Sequence, residues 1–529
     1  MSVDQSPEVS PHQSGYAMAN ITPDIERDAA LRTQHLSGTL RGRSVRGGLA
    51  VLGVQSTQFA LNLASTAILA RLLAPGDFGL IAMAAAISNF LGLFLDLGLG
   101  SATVQRSDLT QPQASTLFWI NTALGVLMAA VLAGLAPLVA RFYGYPQLTR
   151  VTIVLALGFV IGGVSVQPSA LLRRQMQFAR LAAIDLASLS IGIGVAVGSA
   201  LSGAGYWSLV YFQLAQSATS AVGLWLACGW RPSLPARSVR VRHLLSFGAG
   251  LTAFNTLAYL SRTLDNVIIG RSAGSAALGL YLKSYSMLLL PVDRVRGPVS
   301  AVVLPALSLL QGDRARFRSY FLKAIMCVAA VGMPTVVFLF VFARESVVLV
   351  LGGKWQESVP LFQVLAAAAF VETFNTVGVW ACTPFGKSGR LIRWQIFATF
   401  VMLISFLIGA RWGALGVAVA CSASTVVLRI PGIPYLLKDS PVSPADLLAT
   451  LARPACASIA AGVIVFVLHP WLPLRGAVLL LTAAPLFGAL YLALWLALPG
   501  GRAAGRELLI VLRDIRPRSD STSSAEAVV

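Results

Sequence analysis

Charged residues are scarce in this sequence: they make up 12% of its 529 residues, whereas soluble chains usually contain about 25%. Hydrophobic residues account for 56%, and the mean hydropathy is +0.75. This composition excludes an ordinary soluble globular protein and indicates a polytopic membrane protein. A helix needs roughly 20 mostly apolar residues to cross the hydrocarbon, because lipid offers the backbone no hydrogen-bond partners.

Motifs that carry chemistry are also lacking. The five cysteines lie singly in apolar runs and the four histidines have no metal-ligand spacing, which favours packing over disulfide or metal chemistry. The sequence contains no Walker loop, no dinucleotide fingerprint and no nucleophile elbow. We therefore expect no catalytic residues, no metal, no cofactor and no enzyme activity, and ATP-driven transport by this chain alone is disfavoured.

Apolar runs of membrane-spanning length occur about fourteen times. The predicted spans are residues 47–70, 80–102, 115–140, 151–172, 182–202, 206–229, 244–269, 280–305, 320–343, 358–384, 391–410, 413–437, 450–469 and 476–497. Residues 1–45 are polar and lack the features of a signal peptide. We expect them to form a disordered cytoplasmic tail.

The net charge of +19 could suggest nucleic-acid binding, but the positive residues alternate by loop. With the N-terminus inside, 25 Lys and Arg residues fall in cytoplasmic segments and nine on the opposite side. This asymmetry fits the positive-inside rule and predicts that both termini are cytoplasmic. Membrane lipids with anionic headgroups are therefore the expected partners of these loops, and no nucleic acid is expected.

Two segments repeat each other at an offset of 200 residues, "ILARLLAPGDFGL" at 68–80 and "IIGRSAGSAALGL" at 268–280. Arg71 matches Arg271, Gly79 matches Gly279, and Leu80 matches Leu280. The offset spans six predicted helices, an even number, so both halves should enter the membrane in the same direction. The repeat predicts an all-α integral membrane protein with two parallel six-helix lobes around a central cavity, followed by two extra helices.

The predicted domains follow from this repeat. They are a tail at 1–45, an N-lobe at 46–229, a basic cytoplasmic linker at 230–243, a C-lobe at 244–437, helices 13 and 14 at 438–498, and a C-terminal cytoplasmic tail at 499–529.

Three segments resemble a known family: "ARLLAPGDFGLIAMAAAISNFLGLFLDLGLGSATVQR" (70–106), "LDNVIIGRSAGSAALGLYLKSYSMLLLP" (264–291) and "VVLPALSLLQGD" (302–313). They look like the polysaccharide-transporter branch, the Wzx-type flippases, of the multidrug/oligosaccharidyl-lipid/polysaccharide exporter superfamily. The resemblance implies a V-shaped fold similar to the multidrug exporters. It also implies movement of an undecaprenyl-diphosphate-linked oligosaccharide across the bacterial inner membrane, with a polysaccharide polymerase and export machinery as further partners.

Polar side chains form stripes on the first helix of each predicted lobe. Helix 7 carries Asn255, Tyr259, Arg262 and Asn266 at spacings of 4, 3 and 4, and helix 1 carries Gln55, Gln58, Asn62 and Thr66. Such spacing places each set on one helical face. Hydrogen bonding between helices is one explanation and the wall of a hydrated cavity is the other. The matching positions in the two repeats favour the cavity.

Several arginines lie inside predicted spans, where a charge costs at least about 3 kcal/mol on insertion scales. Arg262 and Asp265 are spaced to pair across one turn, so that pairing and substrate contact remain alternative roles for Arg262. On helix 8, Asp293 is spaced to pair with Arg296, while an anion is the expected partner of Arg294. Pro291 and Pro298 bracket this group; prolines free backbone carbonyls and bend helices, and interrupted helices line binding sites in many transporters. Arg294 and Arg296 are the best candidates for binding a diphosphate.

Three acidic residues are candidates for ion coupling: Glu372, Asp265 and Asp96. Asp96 lies between Gly92 and Gly100, so close helix packing competes with an ion role. Two further charges have simpler explanations. Arg429 is predicted to extend its long stem to the headgroups, and Asp185 is predicted to be interfacial.

Three functions compete. A lipid-linked oligosaccharide flippase needs a polar, positively charged path, which the intramembrane arginines offer. A cation-coupled exporter of drugs or small metabolites would instead favour carboxylates. A membrane polysaccharide polymerase or ligase usually places catalytic residues in a sizeable outer loop, whereas the longest one here is "RESVVLVLGGKWQE" at 344–357.

Overall fold

The computed structural model describes residues 40–95, 98–105, 109–234, 242–471, 476–501 and 505. Within these residues the protein is all-helical. The helices are α1 Leu40–Leu72, α2 Pro75–Gly92, α3 Leu99–Gln105, α4 Gln111–Tyr143, α5 Gln147–Arg174, α6 Phe178–Leu201, α7 Trp207–Cys228, α8 Arg242–Leu309, α9 Arg314–Val341, α10 Ala343–Val350, α11 Val359–Glu372, α12 Val377–Cys382, α13 Ser388–Gly409, α14 Gly413–Leu437, α15 Pro444–Leu468 and α16 Gly476–Ala497.

These helices account for all fourteen predicted spans. Helix α8 contains two of them, separated by Gly274, whose φ of 87° and ψ of 179° break the helical backbone. Two other spans are interrupted. The predicted 80–102 helix is split into α2 and α3, and the predicted 358–384 helix is split into α11 and α12. Hydropathy could not reveal these breaks because the helices on both sides of each break are mostly apolar.

Eight helical segments in the described part of the chain are long and apolar enough to cross a membrane. One of them, Ser388–Leu437, contains both α13 and α14. The number reaches nine when Gly53–Leu72 and Pro75–Gly92, bent by 120° at the turn between them, are counted as one broken span. The protein is therefore a multi-pass membrane protein.

Contacts between residues divide the described chain into two compact units. The first unit contains the described residues of 1–69 and 84–256, and the second contains residues 70–83 and the described residues from 257 onward. The turn between α1 and α2 thus packs with the second unit, although the predicted N-lobe included it. Residues 244–256 of the predicted C-lobe pack with the first unit.

In the first unit, α4 and α5 pack most closely where two glycines meet. A Cβ on Gly125 would lie 2.6 Å from the carbonyl oxygen of Phe159, and one on Gly163 would lie 2.7 Å from that of Asn121. Helix α7 packs on both α5 and α6. The buried residues Leu117, Leu171 and Trp230 belong to one apolar cluster of this unit.

In the second unit, the core forms around the fully buried aromatic residues Phe317, Phe321 and Trp380. Helices α15 and α16, which correspond to the extra helices 13 and 14, share this unit with α9. Tyr491 of α16 donates a hydrogen bond to the Ala330 carbonyl at 3.0 Å. Helix α15 begins at a capping box in which the Ser443 hydroxyl accepts from Asp446 N at 3.1 Å.

Candidate functional site

Glu372 ends helix α11, at the interruption of the predicted 358–384 span. The chain turns through residues 373–376 before α12 begins. The last carbonyls of a helix have no partner within that helix, and the Glu372 carbonyl accepts a hydrogen bond from Arg296 Nη1 at 3.3 Å. A cation at a helix C-terminus is also favoured by the helix dipole. The interruption therefore gives Glu372 a fixed place next to an arginine.

The Glu372 carboxylate contacts residues from two other helices and from the turn that follows α11. Arg429 Nη2 of α14 lies 2.9 Å from Oε1, and Arg296 Nη1 of α8 lies 3.6 Å from Oε2. Asn375 Nδ2 donates to Oε2 at 2.7 Å. Arg296 also forms an ion pair with Asp293, as its spacing predicted. Asp293, Arg296, Glu372 and Arg429 are called the arginine cluster below.

Three of the four side chains of the arginine cluster are largely shielded from solvent, whereas that of Asp293 is exposed. The side chains of Arg296 and Glu372 are 19% exposed and that of Arg429 is 22% exposed. Two arginines and two carboxylates balance in charge, which offsets part of the cost of removing them from water. Arg429 Nε is buried and has no hydrogen-bond partner among the described residues. The cluster therefore has one unused hydrogen-bond donor.

Sequence reasoning missed the partner of Arg429, because it predicted that this side chain extends to the headgroups. Arg429 lies eight residues before Leu437, the last residue of α14, which places it about 12 Å from that end at 1.5 Å per residue. Its guanidinium pairs with Glu372 instead. The distance of Arg429 from the end of α14 is the sequence signal that could have indicated a partner within the protein.

Of the two roles left open for Arg262, the ion pair with Asp265 is not formed between these described side chains. Asp265 is 6% exposed, and its carboxylate accepts from Tyr281 Oη at 2.7 Å and from Asn266 N at 2.8 Å. The side chain of Arg262 is exposed. Two residues three apart can adopt rotamers that point away from each other, and Tyr281 offers the carboxylate a buried partner.

The helix is not interrupted between Pro291 and Pro298. Helix α8 keeps helical backbone angles through this segment, and Gly274 is its non-helical residue. Helical neighbours can compensate for the donor that a proline lacks inside a membrane protein. Arg294 lies in this segment with an exposed side chain.

The two predicted polar stripes have different outcomes. On α8, Tyr259 and Asn266 are half-buried, and Asn255 lies outside the residues whose side chains are described. On α1, Gln55 is exposed, whereas Gln58 and Asn62 line a pocket of about 560 Å³ within the first unit. The other polar lining residues of this pocket include Ser165 of α5, Asp185 and Ser188 of α6, and Gln216 of α7.

Asp185, predicted to be interfacial, lies in the first unit. It lies seven residues after Phe178, the first residue of α6, and it lines the pocket of the first unit. Among the other acidic candidates, Glu372 and Asp265 lie in the second unit, while Asp96 lies outside the described residues. No group of three or more metal-ligating side chains occurs in the part of the chain that was described.

Comparison with known proteins supports a transporter fold. The inward-closed structure of the lipid II flippase MurJ matches with a TM-score of 0.69 and 12% identity, covering 85% of this chain and 98% of that one. An inward-facing multidrug resistance transporter of the MATE family matches with a TM-score of 0.53 and 15% identity, covering 73% and 97%.

Sequence relatives have more specific names. The chain is 25% identical to the lipopolysaccharide biosynthesis protein WzxC of Escherichia coli, covering 72% of this chain and 78% of that protein. It is 25% identical to the succinoglycan biosynthesis transport protein ExoT of Rhizobium meliloti, covering 90% and 97%. Residues 68–360, more than half of the chain, match the family described as "Polysaccharide biosynthesis protein". This membrane protein therefore belongs to the polysaccharide biosynthesis protein family.

Proposed function

We propose that the protein is a flippase that moves undecaprenyl-diphosphate-linked oligosaccharide units across the bacterial cytoplasmic membrane by alternating access. Such units would serve the synthesis of exopolysaccharide, capsule or O-antigen. Family membership and the names of the relatives support this class of cargo. The observation that carries the proposal is the meeting of Arg296 and Arg429 at Glu372 inside a membrane-spanning unit.

The arginine cluster has the chemistry that a diphosphate needs. Guanidinium groups bind phosphate oxygens through two parallel hydrogen bonds and stay charged in proteins. Arg296 and Arg429 would hold the diphosphate, and the exposed Arg294 and Arg262 would attract it. Asn255, Tyr259 and Asn266 remain proposed substrate contacts on α8, and Gln55 remains one on α1.

In the empty protein, Glu372 acts as the counter-ion of both arginines. A buried charge left without a partner is strongly destabilising, so the cluster needs an anion at all times. A diphosphate carries more negative charge than one carboxylate and would displace Glu372 from the guanidinium groups. The displaced carboxylate would then favour taking up a cation, and this exchange would couple transport to a proton or sodium gradient.

The protein would lie in the inner membrane and act together with the enzymes that use its product. The excess of positive residues in alternate loops supports an inner-membrane orientation with both termini in the cytoplasm. A polymerase and export machinery would consume the product on the outer side. Asp265 and Asp96 remain alternative sites for the coupling ion.

The proposal is tested by leaflet transfer of a labelled undecaprenyl-diphosphate oligosaccharide in proteoliposomes. Wild type should transfer the lipid, and Arg296→Gln and Arg429→Gln should lose at least about tenfold in rate, since each removes a charge-assisted bond worth about 1.5–3 kcal/mol. Arg411→Gln is the matched control, because Arg411 is exposed at the turn between α13 and α14. No wild-type transfer together with export of cationic dyes would overturn the proposal in favour of a drug exporter.

A further inference from the structure

The pocket of the first unit has a lining that differs in chemistry from the arginine cluster. Eight of its twelve lining residues are polar, and seven of these eight are uncharged amides or hydroxyls. Asp185 is the one charged residue of the lining. The lining contains no cationic side chain, and the carboxylate would repel an anionic diphosphate.

The amide and hydroxyl groups of this lining keep hydrogen-bonding capacity. Asn62 Nδ2 donates to the Gln58 carbonyl at 2.8 Å, and Ser165 Oγ donates to the Ile161 carbonyl at 2.7 Å. Both side chains therefore retain free acceptor positions. The side chains of Gln58, Gln216, Ser217 and Ser220 have no hydrogen-bond partner among the described residues.

Unpartnered polar groups in a membrane-spanning unit cost free energy when they face lipid tails. The pocket is accordingly a place for water or for a polar ligand. Its volume of about 560 Å³ lies in the range of small-molecule sites, roughly 300–1,000 Å³. Phe212 adds an aromatic ring to the lining, which suits the apolar face of a sugar ring.

We infer that this pocket binds the uncharged sugar residues of the lipid-linked cargo. Glutamine and asparagine side chains present a donor and an acceptor side by side, which matches two neighbouring hydroxyl groups of a sugar. Asp185 can accept from a sugar hydroxyl, and its charge disfavours uronic acids. The inference rests on the proposed function and adds to it a glycan site separate from the residues that hold the diphosphate.

Binding to the purified full-length protein distinguishes these roles. The two probes are a short polyprenyl diphosphate bearing a neutral disaccharide and the same polyprenyl diphosphate without sugar. Wild type should bind the glycosylated probe at least about tenfold more tightly, as expected when a site gains several hydrogen bonds. Equal affinity for the two probes would overturn the glycan site, whereas binding of neither probe would overturn the proposed function.

Variants of the lining residues then test whether this pocket is the source of the higher affinity for the glycosylated probe. Gln58→Leu combined with Gln216→Leu should abolish the higher affinity for the glycosylated probe. The affinity for the sugar-free probe should stay unchanged. Gln213→Leu is the matched control, because Gln213 lies on α7 but does not line the pocket. If the double variant is unstable, Ser217→Ala with Ser220→Ala must give the same selective loss. A preference that survives both pairs, or displacement of the glycosylated probe by cationic dyes, would contradict the inference.

Discussion

Gly79 and Gly279, which occupy the same place in the two sequence repeats, lie in reciprocal backbone contact within the second unit. A Cβ on Gly79 would overlap the Ser275 carbonyl, and a Cβ on Gly279 would overlap the Pro75 carbonyl. Pro75 and Ser275 are themselves separated by 200 residues. Small residues allow this close approach of helices in membranes. The two repeats thus meet through matching residues.

The first prediction concerns this contact. Gly79→Ala should lower stability by about 1–3 kcal/mol, the usual cost of inserting a methyl group where the backbone cannot give way. Gly76→Ala is the control on the same segment, because its Cβ would lie 3.5 Å from Ser275 Oγ, an ordinary contact. The apparent Tm of both variants in detergent checks this. Equal Tm values would show that the contact relaxes without cost.

Trp355 contacts both Ala70, near the end of α1, and Phe78 of α2. Its ring is fully buried, and its Nε1–H donates to the Ala70 carbonyl at 2.8 Å. Trp355→Phe keeps an aromatic ring that can face Phe78 but removes the donor. Because an unsatisfied buried carbonyl costs about 1–3 kcal/mol, the Tm should fall. Trp471→Phe should change little, since Trp471 is 84% exposed. A similar Tm for the two variants would contradict this role.

Sequence reasoning succeeded where lipid imposes a simple rule. Within the described residues, each of the fourteen apolar runs forms helix, with two of them interrupted, because a backbone in hydrocarbon must satisfy its own hydrogen bonds. It failed where partners are distant in sequence. Arg429 and Glu372 are 57 residues apart, and Asp265 pairs with Tyr281 rather than with the nearer Arg262. Spacing along one helix cannot rank such partners.

A third prediction concerns the loop between α14 and α15. Asp439 accepts from Arg390 Nη2 at 2.9 Å and lies 3.5 Å from Lys387 Nζ. The hydrogen bond from Arg390 lowers the pKa of Asp439 below its usual value. A carboxyl whose pKa is lower in the folded than in the unfolded protein stabilises the fold at pH values above the unfolded pKa, which is about 3.9. This stabilisation is lost as the pH falls through the folded-state pKa.

Asp439→Asn should therefore lower the Tm slightly at pH 7, and the difference from wild type should vanish as the pH falls well below 4. Asn tolerates the positive φ of 63° at this position, so this substitution isolates the charge. The effect should also shrink with added salt, because Asp439 is exposed. If the Tm difference between Asp439→Asn and wild type is constant from pH 7 to pH 3, the loss of stability comes from packing and not from the charge.

The last prediction separates a counter-ion from a structural role for Glu372. Glu372→Gln keeps the size of the side chain but leaves Arg296 and Arg429 without the charge that they share. The ligand-free protein should therefore lose stability, since Arg429 is left without an ion-pair partner, whereas Arg296 keeps Asp293. Because a diphosphate would no longer compete with the carboxylate, the affinity for a sugar-free polyprenyl diphosphate should rise about tenfold, equivalent to 1.4 kcal/mol.

Thermal shift in the presence and absence of this lipid measures both effects on one sample. The ligand should restore the Tm of Glu372→Gln toward that of ligand-bound wild type, because it supplies the missing anion. Glu357→Gln is the matched control, since Glu357 is exposed and forms no ion pair within the described residues. If Glu372→Gln binds the diphosphate more weakly than wild type, Glu372 is needed to hold the arginines in place and does not compete with the ligand.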